Sequence, residues 1–286
     1  MKPSLLTIAR RALTGEAKLE QGAALVAAVS GGPDSMALLH VLARLAPKLG
    51  IAVHAHGVDH GLRAEASQEL DVAEAFAKHL GVPFGRSTLR VAPGGNLQAR
   101  ARIARFEALA AAARAVSART IATAHHADDR AETVLLRLMR GAGPRGLAVL
   151  PPRAPLGAHD ELELVRPLVR ARRSDVLAHI ERHAIPFARD PSNLDPRFLR
   201  VRVRRELMPL LADLAPGVVD HLVALADQLA EAADGAGASF PLPRSSQAAL
   251  AQLARSRSTT ARVWLPGALV VSFDPRRARP GPGTAR

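Results

Sequence analysis

AALVAAVSGGPDSMALLHVLARL, residues 23–45, is the stretch whose reading decides the fold. Ala23 to Val29 is an unbroken apolar run, as expected of a parallel strand buried on both faces. From about Ser35 to Leu49 the apolar spacing turns helical. Between strand and helix lie Ser30, Gly31, Gly32, Pro33, Asp34 and Ser35. A β-to-α connection is where open α/β sheets bind ligands. Two glycines admit positive φ and close backbone approach, and a helix N-terminus with free N–H groups favours an anion. The local physics therefore predicts a phosphate cradle. It is not the GxxxxGK[ST] loop, because no Lys-Ser or Lys-Thr follows. Charge neutralisation must come from backbone dipoles, Mg²⁺ or distant arginines, and Asp34 is a candidate Mg²⁺ ligand or loop brace. The simpler alternative is a glycine turn in which Ser or Asp caps a helix.

Outward from this stretch, strands alternate with helices. Strands are expected at 51–58, 84–91, 120–124 and 162–166, with helices at 67–80, 97–117, 172–185 and 198–211. That alternation predicts an α/β fold with a doubly wound, parallel, five-stranded sheet, followed by a smaller, mainly helical C-terminal region. Residues 1–22 read as an amphipathic helix and a loop, and 151–160 as a loop. Residues 1–215 are expected to form the nucleotide-binding and catalytic domain. Residues 216–274 are expected to add a helix and a hairpin around Pro266-Gly267, and 275–286 a disordered Pro/Gly/Arg tail.

Thirty-nine basic residues against 26 acidic ones give a net charge of +13, which suits a polyanionic partner. A GC-rich genome would also favour Arg, but 166–205 holds eleven Arg and four acids, and uniform bias does not concentrate charge in that way. There is no Cys, which excludes disulfides, thiolate metal sites and cysteine nucleophiles. No secretory h-region or membrane-length apolar stretch is visible, so a cytoplasmic protein without membrane contact is expected.

A second chemical stretch, His125-His126-Ala127-Asp128-Asp129-Arg130-Ala131-Glu132-Thr133, stands where the fourth strand hands over to a helix. In a parallel sheet this is the edge that carries the Ser30 loop. Asp129 and Glu132 are three apart and share a helix face. Acids in a first helical turn can simply oppose the macrodipole. Three acids and two His at a ligand-binding edge favour a cation or amine site instead. His54, His56, His125 and His126 lack the further ligand spacing of a zinc site, and His56 and His126 are expected to line the nucleotide edge. No GxSxG elbow is present.

SGGPDS resembles the SGGxDS motif of the PP-loop ATP pyrophosphatases, which split ATP into AMP and pyrophosphate. VDHGLRAEASQEL, ARIARFEAL, TAHHADDRAETVLLRLMRGAGPRGL and DPSNLDPRFLRVRVRRELMP follow it in order. Together, over residues 20–215, they resemble the tRNA(Ile)-lysidine synthetase family. The resemblance implies an adenine nucleotide α-hydrolase-like fold and a ligase that forms a C–N bond. Its substrates would be ATP with Mg²⁺, lysine and an isoleucine tRNA with a CAU anticodon. ATP would bind Ser30, Gly31, Gly32, Pro33, Asp34, Ser35 and His56, with Asp34 on Mg²⁺. Asp34, Arg105, Asp129 and Glu132 would be catalytic. Asp129 and Glu132 would hold the lysine ammonium, and Asn193 and Arg204 would bind substrate. A homodimer is compatible with it. Val201, Phe106 and Arg130 stand where the family usually shows Asn, Tyr and Gln. The competing readings are an inactive nucleotide-regulated RNA-binding protein and a PP-loop tRNA thiolase; the missing cysteines count against the thiolase.

Overall fold

A computed structural model of the chain describes residues 2–59, 61, 65–89, 97–157, 159–188, 195–235, 252, 262–265 and 269–272. The turn at Pro93–Gly95, Asn193, the linker after Gly235 and the 275–286 tail lie outside the described residues, as does most of the helix expected at 248–253.

In chain order the elements begin with α1 (Leu5–Arg11, continued by a π-helical turn over Ala12–Glu16), β1 (Ala24–Val29), α2 (Pro33–Leu49) and β2 (Ala52–Asp59). They continue through α3 (Glu65–His79), β3 (Phe84–Thr88), α4 (Leu97–Ala115), β4 (Thr120–Ala122) and α5 (Ala127–Leu138). Next come α6 (Pro144–Leu147), β5 (Arg153–Leu156), β6 (His159–Val165) and α7 (Arg173–Arg182). A continuous helical run follows: α8 (Leu199–Arg202), a π-helical turn (Val203–Leu207) and α9 (Met208–Leu214). Last are α10 (Val218–Gly235) and an antiparallel pair, β7 (Arg262–Leu265) and β8 (Leu269–Ser272).

The main sheet has six strands in the order β3-β2-β1-β4-β6-β5. Five are parallel, as the sequence predicts. The sixth, β5, runs antiparallel at the edge and comes from the stretch read as a loop. Arg153-Ala154-Pro155-Leu156 has no alternating pattern to announce a strand, and its pairing with β6 is broken by an irregularity at Pro155/Leu156. Proline at a sheet edge costs no ladder bond.

β1 shows why the sheet is covered on both faces. Leu25, Ala27 and Val29 pack with Met36, Leu38, Leu39 and Leu42 of α2 and with Val176 and Ile180 of α7. Val26, pointing the other way, packs with Leu109, Ala110 and Ala113 of α4 and with Ile121. Strand side chains alternate with period two, so one apolar strand feeds two cores. From β1 the chain winds outward through β2 and β3, then returns to the other side of β1 as β4. The order therefore reverses between β1 and β4, and the crevice beyond their carboxyl ends is the ligand site of such sheets. Beside this sheet, α5 packs against Val203, Met208, Val219 and Val223 of the later helices. α10 is also tied to α5 by the fully buried Arg130, which lies 2.7 Å from Asp227 and donates from Nε to Val149 O. Arginine thus stands at this position as a bridge between helices.

Candidate active site

The reversal point opens into a cleft of about 240 Å³ lined by Ser30, Asp34 and Ser35 from one side and by Thr123, His125 and Asp129 from the other. His56 and Arg105 complete it.

The Ser30 loop is braced from within. Ser35 Oγ donates to Gly32 O at 2.9 Å and accepts from Ser30 N at 3.1 Å. Gly31 has φ +82, and a Cβ there would stand 2.4 Å from Glu69 O of α3. Its glycine is thus required by backbone conformation and by a neighbouring helix. Gly32 is different: a Cβ would meet only Ser30 Oγ, at 3.6 Å, so the loop is open there. Gly32 is also the N-cap of α2 with no side-chain cap, and Pro33 follows at the first helical turn. The start of a 17-residue helix is thus presented at the cleft without a capping side chain.

Asp34 projects from that first turn. Its Oδ1 is buried without a hydrogen-bond partner. Burial pushes the Asp34 carboxyl up, His126 pulls it down and Asp129 pushes it up again, leaving it above the usual aspartate value. The imidazole between the two acids is fixed by a capping box: His126 Nδ1 accepts from Asp129 N, and Asp129 Oδ2 accepts from His126 N. Nε2 is left facing both carboxylates, 3.8 Å from Asp34 Oδ1 and 3.4 Å from Asp129 Oδ2. The loop and the second acidic stretch therefore meet at one buried histidine.

Asp129 and Glu132 do share a face of α5, and two arginines grip them. Arg200 donates to Glu132 Oε2 at 3.0 Å and to Asp129 Oδ1 at 2.8 Å. Arg204 donates to Glu132 Oε1 at 2.6 Å, to Glu132 Oε2 at 2.9 Å and to Asp129 Oδ1 at 3.2 Å. Burial pushes the Asp129 carboxyl up, but His126, Arg200, His125 and Arg204 outweigh it and hold it below the usual range. Burial likewise lowers Arg204, and its bonds to Glu132 with the charges of Asp129 and Asp34 more than restore it.

Other expectations are redistributed. Asp128 accepts from Arg173 N at 2.7 Å and so caps α7, with the same Oδ2 3.7 Å from His126 Nδ1, while Asp129 and Glu132 are the pair gripped by arginines. Of the neighbouring histidines it is His125 that lines the cleft, whereas His126 lies beneath the acids; burial pushes His125 down to about 3, so it is neutral at physiological pH. His56 lines the cleft, bonded to Ser87 Oγ at 2.8 Å, and burial lowers its pKa. A Cβ at Gly85 would stand 2.7 Å from His56 Nδ1, so that glycine makes room for the ring. Arg105 reaches the cleft with an Nε that is buried and unbonded, and burial pushes it down to about 10. Asn193 lies outside the described residues. Arg200 was missed by sequence reasoning, although its place four residues before Arg204 signals a shared helical face. Among the described residues no group of three or more His, Cys, Asp or Glu could hold a metal ion, and no single helix is long and apolar enough to cross a membrane.

Residues 5–211 match the family model of the PP-loop domain. The tRNA(Ile)-lysidine synthase of Symbiobacterium thermophilum is 41% identical over 235 residues, covering 79% of this chain and 48% of its own. That of Pseudomonas aeruginosa is 42% identical, covering 72% and 46%. That of a Bradyrhizobium species is 42% identical over 258 residues, covering 88% and 68%. The chain thus spans about half the length of the first two relatives. Among solved structures, U34-tRNA thiolase NcsA from Methanococcus maripaludis, with its 4Fe-4S cluster, superposes with a TM-score of 0.66 over 79% of this chain and 78% of its own, at 20% identity. That likeness speaks to fold alone. With a family model over most of its length and a relative matched over two thirds of its own, the chain belongs to the PP-loop domain family and, within it, to the tRNA(Ile)-lysidine synthases.

Proposed function

We propose that this chain joins lysine to C2 of the wobble cytidine of an isoleucine tRNA with a CAU anticodon, at the expense of ATP. The observation that supports this most is the approach of Asp34 and Asp129 to a single imidazole, at 3.8 and 3.4 Å. A triphosphate lying on Ser30–Ser35 would then have its α-phosphate beside the acids that receive the amine. The open face of Gly32 and the uncapped start of α2 suit the phosphates. His56 and the apolar wall of Ala28, Val29 and Leu109 suit the nucleoside. Arg105, unbonded at Nε, suits an anionic oxygen.

Mg²⁺ fits this site. The buried, unpartnered Asp34 Oδ1 is a hard oxygen donor of the kind that binds Mg²⁺ together with substrate phosphates. Asp34 would hold the ion, which would neutralise charge on the triphosphate.

In the proposed reaction the cytidine O2 attacks the α-phosphorus, and the bond to pyrophosphate breaks. The lysine ε-amine then attacks C2, and the C2–O bond to AMP breaks. Asp129 and Glu132 seat the ammonium, and one of them accepts a proton as the amine becomes nucleophilic. Exposed arginines of 166–205, Arg202 and Arg205 among them, guide the RNA. A sulfur-transfer reading finds no cysteine to carry sulfur. Incubation with labelled lysine, ATP and bulk tRNA tests the proposal. Label in RNA, with AMP and pyrophosphate released only when lysine and tRNA are both present, is the expected result; absence of label favours an RNA-binding role without catalysis.

A further inference from the structure

Resting on that reading, we infer that Arg200 is a latch on the acidic pocket, and that phosphate contact must draw it off before lysine binds well. Both carboxylates that the ammonium needs are already spoken for. Asp129 Oδ1 and Glu132 Oε2 each accept from both arginines, and Glu132 Oε1 accepts from Arg204. Two guanidiniums balance the two carboxylates they grip. The Glu132 side chain is 3% exposed and that of Asp129 12%. A third cation added there would leave an uncompensated charge in a poorly hydrated site, which is costly.

Arg200 is the partner able to leave. It makes two of the five bonds and Arg204 three. Its side chain is 43% exposed against 27% for Arg204. It also stands at the start of the helical run, one turn before the π-helical segment that holds Arg204. A phosphate beside the exposed Arg200 side chain would offer it a bidentate partner of equal quality. Its departure would leave Asp129 Oδ1 and Glu132 Oε2 with one donor each and a net negative charge, which is what an ammonium requires. Arg204 remains as the fixed clamp. The phosphate can come from the RNA backbone or from the nucleotide, and the experiment separates the two.

The test is calorimetric titration of lysine into the full chain alone, with a non-hydrolysable ATP analogue, and with tRNA. The wild type should bind lysine about tenfold more tightly in whichever arm supplies the releasing phosphate. Arg200→Ala should bind lysine with the tighter constant in every arm, and Arg200→Lys should fall between. By linkage, lysine should tighten the same phosphate ligand by the same factor in the wild type and not in Arg200→Ala. Equal lysine affinity in all wild-type arms overturns the latch. So does an Arg200→Ala protein that binds lysine more weakly throughout while melting lower, the mark of a merely structural arginine. Lysine binding absent from every arm and variant instead overturns the functional reading itself.

Discussion

Ser35 ties the Ser30 loop to its own neighbours, through bonds that reach no further than five residues along the chain. Glu132, on the opposite side of the same histidine, is held by guanidiniums 68 and 72 residues away. One side of the site is thus preorganised mainly by local chain geometry, with a single long-range backbone tie, Ala188 N donating to Gly31 O at 2.9 Å. The other is assembled by charge between segments that meet only in the folded molecule. The first side suits a ligand whose phosphates always present the same shape. The second can change partners, because ion pairs between partly hydrated groups exchange for others of similar strength.

Four measurements break or sharpen that contrast. Asp34→Ala strikes the junction of the two sides. The proposed lysidine formation, followed as pyrophosphate release, should fall by about a thousandfold with the thermal midpoint nearly unchanged, a loss of the size typical for a key acid or metal-binding group. Turnover near wild type would remove Asp34 from the chemistry. Gly31→Ala strikes the rigid side alone. A Cβ 2.4 Å from Glu69 O, on a residue with φ +82, should cost about 3 kcal/mol in denaturant unfolding. A neutral substitution would mean that the loop is not rigid.

Arg204→Ala strikes the exchangeable side. It leaves Glu132 with Arg200 alone and should cost about 2 kcal/mol, less than a fully buried pair because Arg204 is partly exposed. If Arg204 contacts RNA, the slope of log K for tRNA against log salt should also fall by about one. Ser35→Ala should have the smallest effect, about 1 kcal/mol for the lost bonds, with a larger loss of affinity for ATP than for lysine as its signature. An equal loss for both ligands would show that the two sides are not mechanically separate.

The apolar run before Ser30, the helix after it and the acids on one face of α5 all follow from period and spacing, and were legible in the sequence. β5 was not, because four residues without alternation become a strand only when β6 offers an edge. Asp128 and Asp129 are adjacent and chemically identical in sequence. Nothing in the chain alone says that one caps α7 while the other is gripped by Arg200 and Arg204. Arg130 stands where the family usually shows Gln, and only the fold shows it fully buried, with α10 bringing Asp227 to it.

The sequence by itself determined the alternation of strand and helix, the glycine loop and the charge inventory, since these depend on residues close along the chain. The fold decided which carboxylate meets which guanidinium. The return of the chain from β3 to β4 opens a crevice beyond β1, and the helical run of α8 then carries Arg200 and Arg204 onto α5. Such pairings join residues about seventy positions apart, and no local pattern encodes them.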